Sequence, residues 1–183
     1  MLTIPTNTIK AAVFCAATKD LRYYLNGVFF KAKAGTLHIV STQGHMMTAF
    51  SHEVDQELDF EVIVPIEAIK LVAKSKSSTV TLTKAGDHWT IGEVLFKEVE
   101  GKYPDYLRII PKSGDIVKDS NCRVNPEYAL AVEKAFFAFG IAKFTISYTA
   151  EKLVIHDACN NAVGVVMTRR NGEDVYQGFK NHD

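Results

Sequence analysis

The sequence predicts an α+β protein made of three copies of one strand-helix-three-strand unit. Three observations predict it. Pro5, Pro65 and Pro126 stand 60 and 61 positions apart. Each proline closes a short β-rich run and opens a segment with helical spacing, where its missing N–H costs nothing in the first turn. After each helical segment come three short runs of alternating or β-branched residues, divided by turn residues.

In the first unit, residues 2–4 form an apolar strand and Thr6 or Asn7 is the helix N-cap. Ile9, Val13 and Ala16 or Ala17 give the helix one apolar face, and Asp20 ends it. Strands are expected over 22–31, 36–41 and 45–51, with turns at Ala34-Gly35 and Gln43-Gly44. The second unit repeats this order with a strand over 60–64, a helix over 66–74 and strands over 79–83, 88–91 and 94–99. The third has a strand over 122–124, a helix over 127–139 and strands over 144–148, 152–156 and 163–169. Domain organisation follows: a two-unit domain over 1–112, a polar linker over 113–121, the third unit over 122–170, and a polar tail over 171–183.

Between the second and third units runs Gly101-Lys-Tyr-Pro-Asp-Tyr-Leu-Arg-Ile-Ile-Pro111. Its two prolines bar a helix or an interior strand, and Tyr103, Tyr106, Ile109 and Ile110 are too apolar for a solvated loop. This connector is expected to lie against the body and help build a groove. Read alone, it fits a packed interdomain linker better than a groove wall.

Twenty-one basic residues balance twenty-one acidic ones, so no global field draws the chain to nucleic acid or an anionic membrane, and any DNA contact must be local. Cys15, Cys122 and Cys159 are odd in number and widely spaced, which opposes a disulfide framework or a zinc site and suits small core residues in a reducing cytoplasm. No secretory leader or membrane span is read, so a soluble, cytoplasmic protein is expected. His38, His45 and His52 are spaced by seven, yet on strands divided by turns that spacing aligns nothing, and no metal is expected. Phosphate-loop, zinc-protease and nucleophile-elbow motifs are lacking. No enzymatic activity and no cofactor are expected. Trp89 reads as core, and Asp157 after His156 as a turn former.

Five segments in order on this repeat carry a resemblance: Arg22-Tyr-Tyr-Leu-Asn-Gly27, Val40-Ser-Thr-Gln-Gly-His45, Val62-Ile-Val-Pro65, the connector, and Val165-Val-Met167. Together they resemble the bacterial DNA polymerase III beta subunit, the sliding clamp. Residues 1–112 are similar to the family's middle domain and 122–170 to the last half of its final domain. The resemblance implies a DNA-clamp fold with one complete clamp domain plus a half domain. It implies a non-enzymatic DNA sliding clamp-like processivity or tethering factor, whose partners are a DNA polymerase and other proteins carrying clamp-binding motifs.

Carried over position by position, the resemblance implies a partner-peptide pocket of Leu25, Thr42, Gly44, His45, Met47, Pro104, Arg108, Ile109, Val165, Val166 and Met167. Leu, Ile, Val and adaptable Met side chains suit a peptide anchored by a few apolar residues. Met46 departs from a basic residue usual in the family, and Thr168 from a common proline. Contact with double-stranded DNA, without sequence preference, is implied for Lys19, Tyr23 and Tyr24. Lys70 and Lys74 join them because their helix carries three lysines against one glutamate. A lysine-rich helix face also reads as plainly solvated, and Ile66 and Glu67 replace a basic pair usual in the family.

The third unit lacks its usual partner unit, so Val132, Phe136, Phe137 and Phe139 are expected to leave an apolar patch. Pairing of two third units about a two-fold axis gives a homo-oligomer, a dimer, and a tetrameric ring if the outer strand edges of the first units also pair. The alternative is an interaction module that forms no ring and competes with a full clamp for its partners.

Overall fold

The computed structural model describes residues 1–54, 58–117 and 123–168. Cys122, Arg169 and the tail over 171–183, all used in the expectations above, lie outside the described residues.

The first repeat comprises β1 (Leu2–Pro5), α1 (Thr6–Ala12), β2 (Gly27–Lys33), β3 (Thr36–Thr42) and β4 (Met46–Glu53). The second comprises β5 (Phe60–Pro65), α2 (Ile66–Val72), β6 (Thr79–Ala85), β7 (His88–Ile91) and β8 (Val94–Phe96). The third comprises α3 (Pro126–Phe139), β9 (Thr145–Tyr148), β10 (Lys152–His156) and β11 (Ala162–Met167). Pro5 and Pro65 sit at the N-cap of their helices with extended backbone, and Pro126 follows the cap residue Asn125, whose side chain accepts from the Glu127 N–H. In all three places the ring's fixed φ fits the start of a helix, and at Pro5 and Pro65 a strand leads into it.

The units are not closed bodies. β1 leaves its own unit and pairs with β6, setting Leu2 opposite Leu82 and Ile4 opposite Val80. β5 pairs with β2 of the first unit, setting Val64 opposite Val28. The result is a four-stranded sheet in the order β1-β6-β7-β8 and a seven-stranded sheet in the order β5-β2-β3-β4-β11-β10-β9. The longer sheet crosses from the first unit to the third through β4 and β11, with Met47 opposite Val165 and Ala49 opposite Val163. α1 packs against α2 on one side and α3 on the other. Ile9, Ile69, Phe30, Ile39 and Val64 form the core of the first two units, while Ala11, Cys15, Phe50, Val132 and Phe136 form the core beneath α1 and α3.

This arrangement corrects several expectations. α1 ends at Ala12 and not at Asp20, Arg123 and Val124 form no strand ahead of α3, and Cys159 is exposed and not in the core. Tyr23–Leu25 make a single 3₁₀ turn, not the start of a strand, because Asp20 and Asn26 hydrogen-bond each other across the loop (both bonds 2.8 Å) and bend it. Of the four residues expected in a bare patch, Val132 and Phe136 are wholly buried and Phe139 stacks on Phe50 at 4.6 Å, so Phe137 alone of them is exposed. The outer edge of the first unit is not free, since β11 satisfies the N–H and C=O groups of β4. Among the described residues, β8 ends the shorter sheet at one side and β9 ends the longer one.

Candidate functional site

The outer face of the seven-stranded sheet, away from the helices, carries the connector. Phe29 on β2 stacks with Tyr103 at 4.7 Å and meets Tyr106 edge-on at 6.2 Å. The Tyr103 hydroxyl donates to the Val40 carbonyl at 3.3 Å, and burial pushes its phenol well above the usual range. From the third unit, the Lys152 ammonium donates to the Ile109 carbonyl at 2.9 Å. The connector is thus fastened to the first and third units of this sheet.

On one side of it opens a cavity of about 440 Å³, lined by Leu25, Thr42, Gly44, His45, Met47, Pro104, Arg108, Ile109, Val165 and Met167. These are ten of the eleven residues expected to meet there. Val166 does not join them. Side chains alternate across a strand, so with Val165 facing outward Val166 faces α3 and is wholly buried in that core. Arg22, Tyr24, Met46, Glu151 and Lys152 also line the cavity. Glu151 and Lys152 were not legible as lining residues, because only the β4–β11 pairing brings β10 beside the connector. For Arg22 a signal existed, since it opens the first of the five resembling segments.

Arg22 shapes the mouth. Its guanidinium bonds Asp20 through Nε at 3.0 Å and a terminal nitrogen at 2.8 Å, and that nitrogen donates to the Gln43 carbonyl at 3.2 Å. These bonds hold the Asp20 carboxyl down at about 2. The Gln43-Gly44 turn crosses so close that a Cβ on Gly44, whose φ is +98°, would meet the guanidinium at 2.8 Å. His45 beyond the turn stacks on Tyr128 of α3 at 5.9 Å, and its carbonyl accepts from Met167 N–H. Arg108 pairs with Asp105 at 3.1 Å on the exposed rim, where such a pair contributes little to stability. The wall is therefore aliphatic and thioether, and its rim is of mixed charge, with Arg22 and Arg108 each paired to an aspartate and Glu151 beside Lys152. Such a surface takes apolar side chains.

The residues expected at DNA are dispersed. Lys70 is exposed on α2, Lys74 is exposed in the turn just beyond the end of that helix, and Lys19 is exposed in the loop after α1. Tyr23 is exposed, whereas Tyr24 lines the cavity on the other face of the sheet. No cluster of metal-ligating side chains occurs among the described residues, and no helix there is long and apolar enough to cross a membrane.

The family described as "DNA polymerase III beta subunit, central domain" matches residues 4–105. The chain belongs to this family. The beta sliding clamp of Pseudomonas putida is 38% identical over 116 residues, which cover 58% of this chain and 32% of that protein. The beta sliding clamp of Escherichia coli K12 is 33% identical over 132 residues, covering 66% of this chain and 36% of that protein. The chain thus aligns with about a third of the length of these relatives. A crystal structure of the DNA polymerase III subunit beta from Pseudomonas aeruginosa superposes with a TM-score of 0.72 at 23% identity, covering 93% of this chain and 66% of that one. The fold is that of part of a sliding clamp, and sliding clamps are non-enzymatic factors of DNA replication.

Proposed function

We propose that the chain is a clamp-like tethering protein that holds a short peptide of a DNA polymerase, or of another protein with such a motif, in the cavity beside the connector. One observation carries this reading: three separate parts of the sequence, from the first unit, the connector and the third unit, converge on one largely apolar cavity with a polar rim. Lys19, Lys70 and Lys74 would add a weak contact with duplex phosphates that carries no sequence preference. Because the cavity is complete within one chain, a second reading is open to the same geometry, in which a single chain competes with a full clamp for partners.

The test is the affinity of a clamp-motif peptide rich in Gln, Leu and Phe, measured by calorimetry. Met167→Ala and Ile109→Ala should each weaken it by about 1–2 kcal/mol if they are anchors. A double variant that binds as tightly as the parent would leave only the shared fold. Retention on a closed circular duplex then separates a clamp from a competitor.

A further inference from the structure

Among the described residues, the third unit has one covered flank and one bare one. In the first unit, β2 is bordered by β5 from the second unit, and α2 packs against both strands. β9 is the counterpart of β2, being the first strand after the helix of its unit, and it ends the seven-stranded sheet. Among the described residues its far edge meets only the isolated bridge between Val117 and Tyr148. Its helix-side face is open as well. Ile146 stands opposite Ile155, which is 3% exposed, yet Ile146 itself is 48% exposed. Beside it α3 leaves Leu130 46% and Phe137 52% exposed, seven residues apart and so on one stripe. The Phe137 ring lies 6.2 Å from that of Phe144, which joins this stripe to the strand.

We propose that a second copy of the chain covers this flank, third unit against third unit about a two-fold axis. The reason for choosing a second copy lies in how the first two units pair. Each gives its leading strand to the other's sheet and sets its helix against the other's helix, so each presents what it receives. A surface built to meet a homologous unit in this reciprocal way also meets its own copy, which is the definition of an isologous contact. The stripe is self-complementary in charge too. Glu133 and Lys134 lie at its middle, so an antiparallel crossing of two α3 helices places each near its opposite. The inference rests on the fold and not on the peptide reading, because the cavity lies on the other face of the sheet.

Sedimentation of the full chain at micromolar concentration should show a dimer. Phe137→Lys on α3 and Ile146→Lys on β9 should each raise its dissociation constant about tenfold or more. Leu95→Lys on the β8 edge, at the other end of the chain's arc, should leave it unchanged. Circular dichroism melts check that the variants fold, and two substitutions on separate elements keep the test decisive should one of them not. Peptide affinity should persist in the monomeric variants, so loss of the dimer is not confused with loss of the pocket. A monomeric parent chain, or a dimer that resists both substitutions, would overturn the proposal.

Discussion

Nδ1 of His38 and the hydroxyl of Tyr106 are 2.6 Å apart, and through them the connector is pinned to the middle of the seven-stranded sheet. Tyr106 also lines a second cavity of about 560 Å³, together with His38, Phe50 and Val154. Burial pushes the Tyr106 phenol up to about 12, and burial with the nearby Lys31 charge holds His38 below the usual imidazole value. At neutral pH both groups are therefore neutral partners in one hydrogen bond. Tyr106→Phe removes the bond and leaves Nδ1 unpaired, at a cost of about 1–2 kcal/mol. Thermal unfolding should show that loss. Peptide affinity should fall with it, because Arg108 and Ile109 follow Tyr106 on the connector; an unchanged melt would show that the pin contributes nothing.

Gly164 lies so near α3 that a Cβ on it would meet Val132 Cγ1 at 2.2 Å and Phe136 at 3.3 Å. Gly164→Ala should destabilise the chain by about 1–3 kcal/mol through overpacking. Adding Val132→Ala should recover part of that loss in a double-mutant cycle read by urea unfolding. Purely additive effects would contradict the close approach.

His52 bonds Thr8 at 2.8 Å and lies beside Phe139 at 5.6 Å, and burial depresses its pKa as it does that of His38. In both cases the unfolded chain takes up a proton more readily than the folded one. The stability they contribute is fully present above the unfolded value of about 6.5 and is lost as pH falls through it. The urea midpoint should drop between about pH 7.5 and about pH 5.5, and His52→Asn should flatten that drop. An equally steep profile in the variant would place the titration elsewhere.

If Lys19, Lys70 and Lys74 face phosphates, retention on duplex DNA should decline steeply with added salt and should not depend on sequence. Replacing all three with Glu should abolish it in a gel-shift series. Retention unaffected by the triple change would move the contact off this surface.

Much of the local structure was legible because it depends on neighbours in sequence. The proline spacing marked three helix starts, and period-two runs located ten of the eleven strands to within a few residues, while the strand expected over 122–124 does not form at Arg123 and Val124. The exception to clean boundaries was the stretch from Arg22 to Asn26, where side-chain bonds between Asp20 and Asn26 override the strand tendency of Tyr23 and Tyr24. The face on which each pocket residue lies was less legible. Val165, Val166 and Met167 are similar in type, yet the pleat turns Val166 to the core beneath α3.

Pairing between distant segments was decided only by the tertiary structure. Every strand edge offers the same row of N–H and C=O groups, so the residues of β4 do not announce whether β11, a second copy or water will satisfy them. The exchange of β1 and β5, the seating of the third unit on the first, and the placing of Lys152 at the connector all follow from that choice of partners. By itself the sequence determined three units of one build and the apolar character of the surfaces they share. The tertiary structure decided which surfaces meet, because burial rewards any apolar match, whereas hydrogen-bond register and close packing, as at Gly164 under Val132, select one.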